Sequence, residues 1–246
     1  MSDKHQVTRI RRERRRRSLT VSERIELSPS MVRLIFTSPD LADFESAAPD
    51  DHIKLFFEQP DGERAMRDYT PRAFDNAAQS LTIDFALHQA GPATEWAMRA
   101  QPGDRLGIGG AQGSTIVADD FDWYLLIGDE TALPAICRRL EELRPGVPVA
   151  VVAVMDSASD RFDLPAREGL TVTWINRSEG DEAGQVNAAL SLPGSGEGYV
   201  FIAAEAEVAR AIRTHVIETL GHPRQWVKAS GYWIKGQSGS DKNIDD

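Results

Sequence analysis

Apolar and polar residues alternate in short segments through the first half of the chain, to about residue 118. Such alternation, in segments rich in β-branched and aromatic residues, is typical of strands with one buried face. Turn-forming clusters such as Gln59-Pro60-Asp61-Gly62 separate the segments. The pattern predicts one helix, from about Ala93 to Ala100, and strands over Leu19–Ile25, Met31–Thr37, His52–Glu58, Arg67–Pro71 and Leu81–Leu87. About six such strands predict a small antiparallel β-barrel.

The rhythm of the sequence changes after an acidic stretch near Ala118–Asp122. Apolar runs that suit buried strands then alternate with segments whose apolar spacing suits helices. The helices are predicted from about Ala132 to before Pro145 and from about Val208 to Leu220. The strands are predicted over Tyr124–Gly128, Val147–Met155, Leu170–Ile175, Tyr199–Ala203 and Gln225–Tyr232. This alternation predicts an α/β domain with a parallel sheet, so we expect two domains, residues 1–118 and 119–246.

The composition of the 246-residue chain is that of an ordinary globular protein, with 41% hydrophobic and 27% charged residues. The longest apolar run, Val147–Met155, is too short to cross a bilayer, and no apolar segment follows the basic N-terminus as in a secretory signal. A single cysteine, Cys137, excludes an intrachain disulfide. We therefore expect a cytoplasmic protein. The five histidines show no metal-ligand spacing, so no protein metal site is expected.

The net charge of −10 conceals a basic N-terminal arm, residues 1–17, which holds eight Lys and Arg against two acidic residues. Such an arm could dock on nucleic acid or on a membrane surface. It could equally be a solvated arm that rests on the acidic remainder of the chain. The arm lacks interleaved aromatic residues, which disfavours nucleic acid.

Two segments suit a flat, doubly phosphorylated ligand such as FAD. Arg67–Arg72 (Arg-Asp-Tyr-Thr-Pro-Arg) offers two cations, an aromatic ring and a hydroxyl. Tyr69 can lie against the flavin ring and Thr70 can hydrogen-bond its polar edge, while Arg67 and Arg72 supply charge. The second segment, Gly91-Pro92-Ala93-Thr94, opens the predicted helix, where backbone amides favour a pyrophosphate. These residues predict a flavin site that mediates electron transfer, so no catalytic side chain is assigned.

A nucleotide-binding turn is predicted at Gly128–Ala135, which directly follows a buried strand. A Gly-x-Gly-x-x-Gly fingerprint is absent, and Gly128 and Thr131 are the residues expected to approach a cofactor. Asp129 and Glu130 are interpreted as helix-capping residues. After the third strand of this half, Arg177 suits the ribose 2′-phosphate of NADPH, although an ordinary surface arginine is an equal alternative. Asp156 is interpreted as a turn residue rather than a ribose ligand.

An antiparallel barrel followed by a parallel α/β domain resembles the ferredoxin-NADP reductase superfamily. Within it, the local motifs resemble the siderophore-interacting proteins, which are NAD(P)H-dependent ferric siderophore reductases. The resemblance runs from about Arg16 to Gly236, and the motifs that carry it are Arg67–Arg72, His88–Ala97, Gly128–Ala135 and Gly231–Gly236. It implies FAD and NADPH as cofactors, with NADH as an open alternative, and an anionic ferric siderophore as substrate.

The resemblance also implies roles for individual residues. Asp84 and His88 match positions that line the flavin, and Trp233 or Tyr232 matches the C-terminal aromatic that covers the flavin face. Lys54 matches a basic position near the substrate. An anionic iron chelate requires a local basic pocket in an acidic protein, and Lys228 and Lys235 are further candidates for it.

The chain departs from the family pattern in four respects. Gly110-Ala111-Gln112-Gly113 lacks the usual proline and arginine, Phe201 replaces a tryptophan, Ala204 replaces a glycine, and Ile234 replaces a basic residue. Two alternatives to an NADPH-dependent reductase stay open. One is a reductase that takes its electrons from ferredoxin. The other is a flavin-bearing interaction protein whose basic arm docks on a partner.

Overall fold

The computed structural model describes residues 4–59, 62–87, 91–177, 180–236 and 242–243. The chain divides into two compact units. The first is Met1–Ala118 together with Cys137–Arg139, and the second is Asp119–Ile136 together with Leu140–Asp246.

The first unit is built on a seven-stranded antiparallel sheet. Its strands are β2 (Arg16–Ser28), β3 (Met31–Thr37), β4 (Ile53–Glu58), β5 (Arg64–Tyr69), β6 (Ala73–Asp75), β7 (Ser80–Ala86) and β8 (Arg105–Gly109). Their order in the sheet is β5-β4-β8-β2-β3-β7-β6. Two further strands, β1 (Val7–Arg11) and β9 (Gly113–Val117), pair with each other in a separate antiparallel ribbon. One helix, α1 (Pro92–Arg99), lies between β7 and β8 in the chain.

The core of the first unit explains where α1 sits. Leu34 and Phe36 of β3 are fully buried, as the period of two along a strand requires. Trp96 of α1 packs on this core, with its ring 6.3 Å from that of Phe36 and 6.1 Å from that of Phe85. The helix buries only small residues beside Trp96 (Ala93, Ala97 and the following Ala100). Small buried residues let a helix approach a sheet closely, so the start of α1 is held by packing.

The described part of the basic arm is folded against the first unit. Arg12 forms an ion pair with Glu45 at 2.7 Å, and Arg15 and Arg17 both pair with Asp43. The hydrogen bond from Arg17 holds the pKa of Asp43 below its ordinary value. These arginines also line a pocket of about 590 Å³ together with Asp43, Glu45 and neighbouring arm residues. The arm therefore rests on the protein's own acidic residues.

The second unit contains a six-stranded sheet. The strands are β10 (Trp123–Gly128), β11 (Val149–Met155), β12 (Leu170–Asn176), β13 (Gly198–Glu205), β14 (Val227–Trp233) and β15 (Lys242–Asn243). Their order in the sheet is β12-β11-β10-β13-β14-β15. The first five strands in this order are parallel, and β15 is antiparallel to β14. The helices are α2 (Leu133–Glu142), α3 (Glu182–Ala189) and α4 (Ala206–Thr214). All residues of β10 and β13 are buried, which is typical of central parallel strands.

The antiparallel first half and parallel second half are confirmed, and the structure corrects several details. The strand expected at Arg67–Pro71 is β5, which begins at Arg64 and ends at Tyr69. The helix expected to reach Leu220 is regular only to Thr214, after which a π-helical turn spans His215–Thr219. Strand β1 lies within the residues expected to form an arm. Helix α3 was not predicted, because its segment is small and polar and buries only Val186.

In the described part of the chain, no helix has both the length and the apolar character that crossing a bilayer would require.

One buried carboxylate joins distant segments of the first unit. Asp51 is 3% exposed, and its Oδ2 accepts hydrogen bonds from Ser46 Oγ at 2.9 Å and Ser114 Oγ at 2.6 Å. The backbone amides of Ala47 and Ala48 donate to the same oxygen at 2.8 and 3.1 Å. Removing this acceptor would leave buried donors without a partner, which is costly.

We expect Asp51→Ala to lower the free energy of unfolding of the first unit by about 2–3 kcal/mol. Urea titration followed by circular dichroism would measure this change. Asp75→Ala is the matched control, because the Asp75 side chain is exposed and accepts from a single amide, that of Ala78 at 2.9 Å. Equal losses of unfolding free energy in the two variants would show that the buried hydrogen bonds to Asp51 contribute no more than the exposed one to Asp75.

Candidate functional site

The end of β5 presents the aromatic ring expected at a flavin site. Tyr69 is half-buried, and its ring centroid lies 4.6 Å from that of Phe85 on β7. Burial raises the pKa of the Tyr69 hydroxyl above its ordinary value, while nearby Arg67 has the opposite, smaller effect. The phenol is therefore neutral at physiological pH. Thr70, the next residue, is buried.

Arg67 and Arg72 are both predicted to supply charge, but they occupy different environments in the structure. Arg67 is partly exposed, and its Nη1 donates to the carbonyl oxygen of Met66 at 2.8 Å. Arg72 is 6% exposed, and its Nε lies 4.0 Å from Asp84 Oδ2. Arg67 thus carries an accessible charge, whereas Arg72 belongs to the interior.

Asp84 is the centre of a buried ion cluster. It is 3% exposed and accepts two hydrogen bonds from Arg33, at 2.7 and 2.9 Å. Arg72 Nε also lies 4.0 Å from its Oδ2, so two arginines offset the charge of this carboxylate. Asp84 therefore supports the strands beneath Tyr69 through its side chain. Its partner in the sequence prediction, His88, lies outside the described residues.

The first turn of α1 has the properties of an anion site. Gly91 is its N-cap, no side chain caps the helix, and Pro92 occupies the first turn. Among the described residues, a Cβ added to Gly91 would meet no atom within 4 Å. Ala93 is buried and Thr94 is half-buried. The amides of an uncapped first turn attract negative charge.

Lys54 is paired rather than isolated. It lies on β4 directly opposite Asp68 of β5, and its Nζ is 2.6 Å from Asp68 Oδ2. The Lys54 side chain is 35% exposed. An anion that approaches Lys54 would therefore share this cation with Asp68.

In the second unit, a turn of close contacts follows β10. A Cβ added to Gly128 would lie 2.5 Å from Ala132 Cβ and 2.8 Å from the carbonyl oxygen of Ala203. Only glycine fits between the adjoining strand and helix. The immediate neighbours of Gly128 are thus protein atoms, which explains this glycine by packing.

Asp129 is fully buried and fixes the turn. Its Oδ1 accepts from the amide of Thr131 at 2.9 Å and from Thr131 Oγ1 at 2.5 Å. Its Oδ2 accepts from the amide of Glu205 at 3.1 Å and from Trp233 Nε1 at 2.7 Å. The Thr131 hydroxyl and the Trp233 indole, both predicted to meet cofactor, are thereby oriented by one carboxylate. The capping interpretation of Asp129 describes only its Oδ1.

Arg177 is enclosed by carboxylates. Glu130 accepts two hydrogen bonds from it, Nη1 to Oε1 at 3.1 Å and Nη2 to Oε2 at 2.7 Å. Glu182 accepts from Nε at 2.8 Å, and Asp156 accepts from Nη1. Burial lowers the pKa of Arg177, but the hydrogen bonds and charges of Glu130 and Glu182 outweigh this effect and raise it.. The arginine proposed for a 2′-phosphate is thus already an ion-pair partner.

The ion pairs of Arg177 are not predicted from the sequence. Glu130 is interpreted there as a helix cap and Asp156 as a turn residue, and Glu182 has no predicted role. Asp156 and Glu130 follow neighbouring parallel strands, β11 and β10, and that position was the available signal. Glu182 opens a helix that the sequence does not predict.

The two other candidate substrate lysines lie near the end of the chain. Lys228 is half-buried on β14, opposite Phe201 of β13. Lys235 is exposed, and its backbone amide donates to Glu205 Oε1 at 3.1 Å. Across the described residues, no group of His, Cys, Asp and Glu side chains is arranged to hold a metal ion.

Comparison with known proteins identifies the family. Residues 121–236 match the family model of the siderophore-interacting protein, and residues 20–65 and 59–115 match that of the siderophore-interacting FAD-binding domain. The chain is 34% identical to the NADPH-dependent ferric-chelate reductase of Escherichia coli, across 92% of this chain and 95% of the relative. The chain belongs to the siderophore-interacting protein family. The resemblance stated from the sequence is therefore confirmed.

Solved structures of relatives support the same family. A siderophore utilization protein from T. fusca superposes with a TM-score of 0.88 at 32% identity, covering 96% of this chain and 99% of that one. The siderophore-interacting protein SipS from Aeromonas hydrophila superposes with a TM-score of 0.77 at 31% identity, covering 91% and 93%. Likeness at this level extends over both units.

The residues of the first unit fit FAD. An uncapped helix start suits a pyrophosphate, and a neutral, half-buried tyrosine suits the face of an aromatic ring. Arg67 adds an accessible cation near that tyrosine. In the second unit, the carboxyl ends of parallel strands suit a nucleotide, but the charges around Arg177 are predominantly negative.

Proposed function

We propose that the protein is an FAD-dependent ferric-siderophore reductase, which passes electrons from NADPH through FAD to chelated iron(III) and releases iron(II). The observation that carries this proposal is the similarity, along nearly the whole chain, to the NADPH-dependent ferric-chelate reductase of Escherichia coli. The match of residues 20–115 to a siderophore-interacting FAD-binding domain supports both the cofactor and the class of substrate.

The proposal assigns one redox partner to each part of the chain. Residues 1–118 form the FAD-binding domain and residues 119–246 the nicotinamide-binding domain. FAD supplies the capacity to accept a hydride and to give up electrons singly, which iron(III) requires. The protein must bind and orient the cofactor and the chelate, so no side chain needs to act as an acid or base.

Within the first domain, the residues divide into those that meet FAD and those that support them. Arg67 and the amides at the start of α1 attract phosphate, and the ring of Tyr69 packs against the flavin. Gly91, Pro92, Ala93 and Thr94 shape that helix start, and Thr70 follows Tyr69. Arg72 and Asp84 act beneath them through the buried ion cluster.

The substrate proposal rests on charge. A ferric catecholate complex is anionic, while the chain has a net charge of −10, so local cations must offset the repulsion. Lys54, Lys228 and Lys235 are the proposed contributors. Siderophores hold iron(III) far more tightly than iron(II), so reduction itself weakens the complex and releases the metal.

The alternative of a basic docking arm has less support. Arg12, Arg15 and Arg17 are engaged by Glu45 and Asp43, so docking on a partner would have to break these ion pairs. A ferredoxin donor is an alternative that the experiment below separates from NADPH.

The function is tested with full-length, FAD-loaded protein under anaerobic conditions. NADPH should bleach the flavin absorbance, and a ferric catecholate siderophore should then restore it while an iron(II)-specific chelator develops colour. NADH and reduced ferredoxin are tested in parallel as donors. If reduced ferredoxin bleaches the flavin and neither NADPH nor NADH does, the electron donor is ferredoxin. Flavin absorbance that returns without formation of iron(II) would exclude ferric-siderophore reduction.

Arg67→Ala should weaken FAD binding by about tenfold, because it removes a charge-assisted contact to phosphate. The measurement is the dissociation constant from titration of FAD into the apoprotein. Arg64→Ala is the control, since Arg64 lies on the same strand, is exposed and pairs with Glu58 at 3.6 Å. Full retention of FAD by Arg67→Ala would remove Arg67 from the site.

Lys54→Gln should lower kcat/KM for a ferric catecholate siderophore by about tenfold and leave reduction of a neutral quinone unchanged. Steady-state assays with the two acceptors give the comparison. Lys54→Arg keeps the charge and the partner Asp68, so it should retain most of the activity. An equal loss with both acceptors would indicate structural damage instead of a substrate role.

A further inference from the structure

More carboxylates surround Arg177 than its single positive charge can neutralise. One guanidinium is shared by Glu130, Asp156 and Glu182, and Asp129 lies immediately before Glu130 in the chain. In the described residues, Glu182 Oε1 is buried and has no hydrogen-bond partner. This cluster, which we call the Arg177 cluster, therefore has a surplus of negative charge and an unused buried acceptor.

The Arg177 cluster should interact differently with NADH and with NADPH. A ribose hydroxyl can donate to a carboxylate, whereas a 2′-phosphate is repelled by carboxylates and needs the arginine. The phosphate can bind Arg177 only if one of the present partners gives way.

We propose that Glu130 is a specificity-determining residue for the nicotinamide donor, because its carboxylate competes with the 2′-phosphate of NADPH for Arg177. This inference rests on the proposed function, in which Arg177 meets the 2′-phosphate. Ionised Glu130 favours NADH, and loss of its charge favours NADPH.

Glu130 is singled out by its contacts and burial. It forms both a 2.7 Å and a 3.1 Å hydrogen bond with Arg177, and its side chain is 4% exposed. The Asp156 side chain is 58% exposed, so it can turn into solvent at little cost. Glu182 forms one hydrogen bond with the arginine, at 2.8 Å. Of the three carboxylates, Glu130 is therefore the one that cannot easily move away from Arg177.

The competition should depend on pH. Burial and the adjacent Asp129 carboxylate raise the pKa of Glu130 to about 7, although Arg177 opposes this rise. The other charged groups at this edge are Asp156, Glu182 and Glu205, and burial also raises the pKa of Glu182. As pH falls through this value, Glu130 becomes neutral and its hold on Arg177 weakens.

The test measures binding of 2′,5′-ADP and 5′-AMP to full-length, FAD-loaded protein by calorimetry. These probes differ by the 2′-phosphate alone and need no turnover. Titrations at about pH 6 and about pH 8 lie on either side of the Glu130 pKa. We expect Glu130→Gln to tighten binding of 2′,5′-ADP about tenfold at the higher pH and less than about twofold at the lower. Binding of 5′-AMP should change less than about twofold.

Three further variants make the result specific. Asp156→Asn is the matched control and should change the ratio of the two affinities less than about twofold. Adding Arg177→Ala to Glu130→Gln should abolish the gain, since the phosphate then lacks its cation. Glu130→Ala also removes the carboxylate and must shift the ratio in the same direction if Glu130→Gln folds poorly.

An unchanged ratio in both Glu130 variants, or an equal change for the two probes, would overturn the inference. Failure of the inference about Glu130 can be distinguished from failure of the proposed function. If NADPH still bleaches the flavin of the wild-type protein while the ratio is unchanged, only the role of Glu130 is wrong. If no nicotinamide bleaches the flavin, the nicotinamide-dependent function itself is wrong.

Discussion

A single buried carboxylate, that of Asp129, joins three segments at the carboxyl-terminal end of the sheet in the second unit. It is fully buried and accepts hydrogen bonds from Thr131, Glu205 and Trp233, which belong to the turn after β10, the end of β13 and the end of β14. A buried carboxylate is costly unless its oxygens are satisfied, so these segments are fixed relative to one another. This end of the sheet is therefore held together by polar contacts in addition to packing.

The same end of the sheet gathers negative charge. Parallel strands place their last residues, and the residues that follow them, at one end of the sheet, and here these residues include Asp129, Asp156 and Glu205. Arg177 is held at this end of the sheet by its ion pairs with Glu130, Asp156 and Glu182. Carboxylates suit ribose hydroxyls, whereas phosphate needs cations, so under the proposed function the preference for a nicotinamide donor depends on a few charges.

The first unit shows how support and contact are divided between residues of similar type. Arg72 and Arg33 neutralise Asp84 in the interior, which fixes the strands under Tyr69. Arg67 stays partly exposed, and its guanidinium donates to the carbonyl oxygen of Met66. Two arginines five positions apart in the chain thus take different tasks.

The sequence was sufficient for the fold class and the family, since periodicity distinguishes the antiparallel half from the parallel half. It missed elements whose pattern is weak: β1 is largely exposed, and α3 has almost no apolar face. Local motifs carry the resemblance to the family, and the cofactor-binding roles of their individual residues stay predictions.

What the sequence could not supply was the state of each charge. Arg177 has the expected position, but its partners Glu130, Asp156 and Glu182 come from three different segments, and only the fold brings them together. Lys54 is likewise matched with Asp68 through strand register rather than through sequence proximity. A charged residue in a binding motif is available to a ligand only to the extent that its neighbours leave it unneutralised. The availability of Arg177 is for this reason a property of Glu130 as much as of the arginine itself.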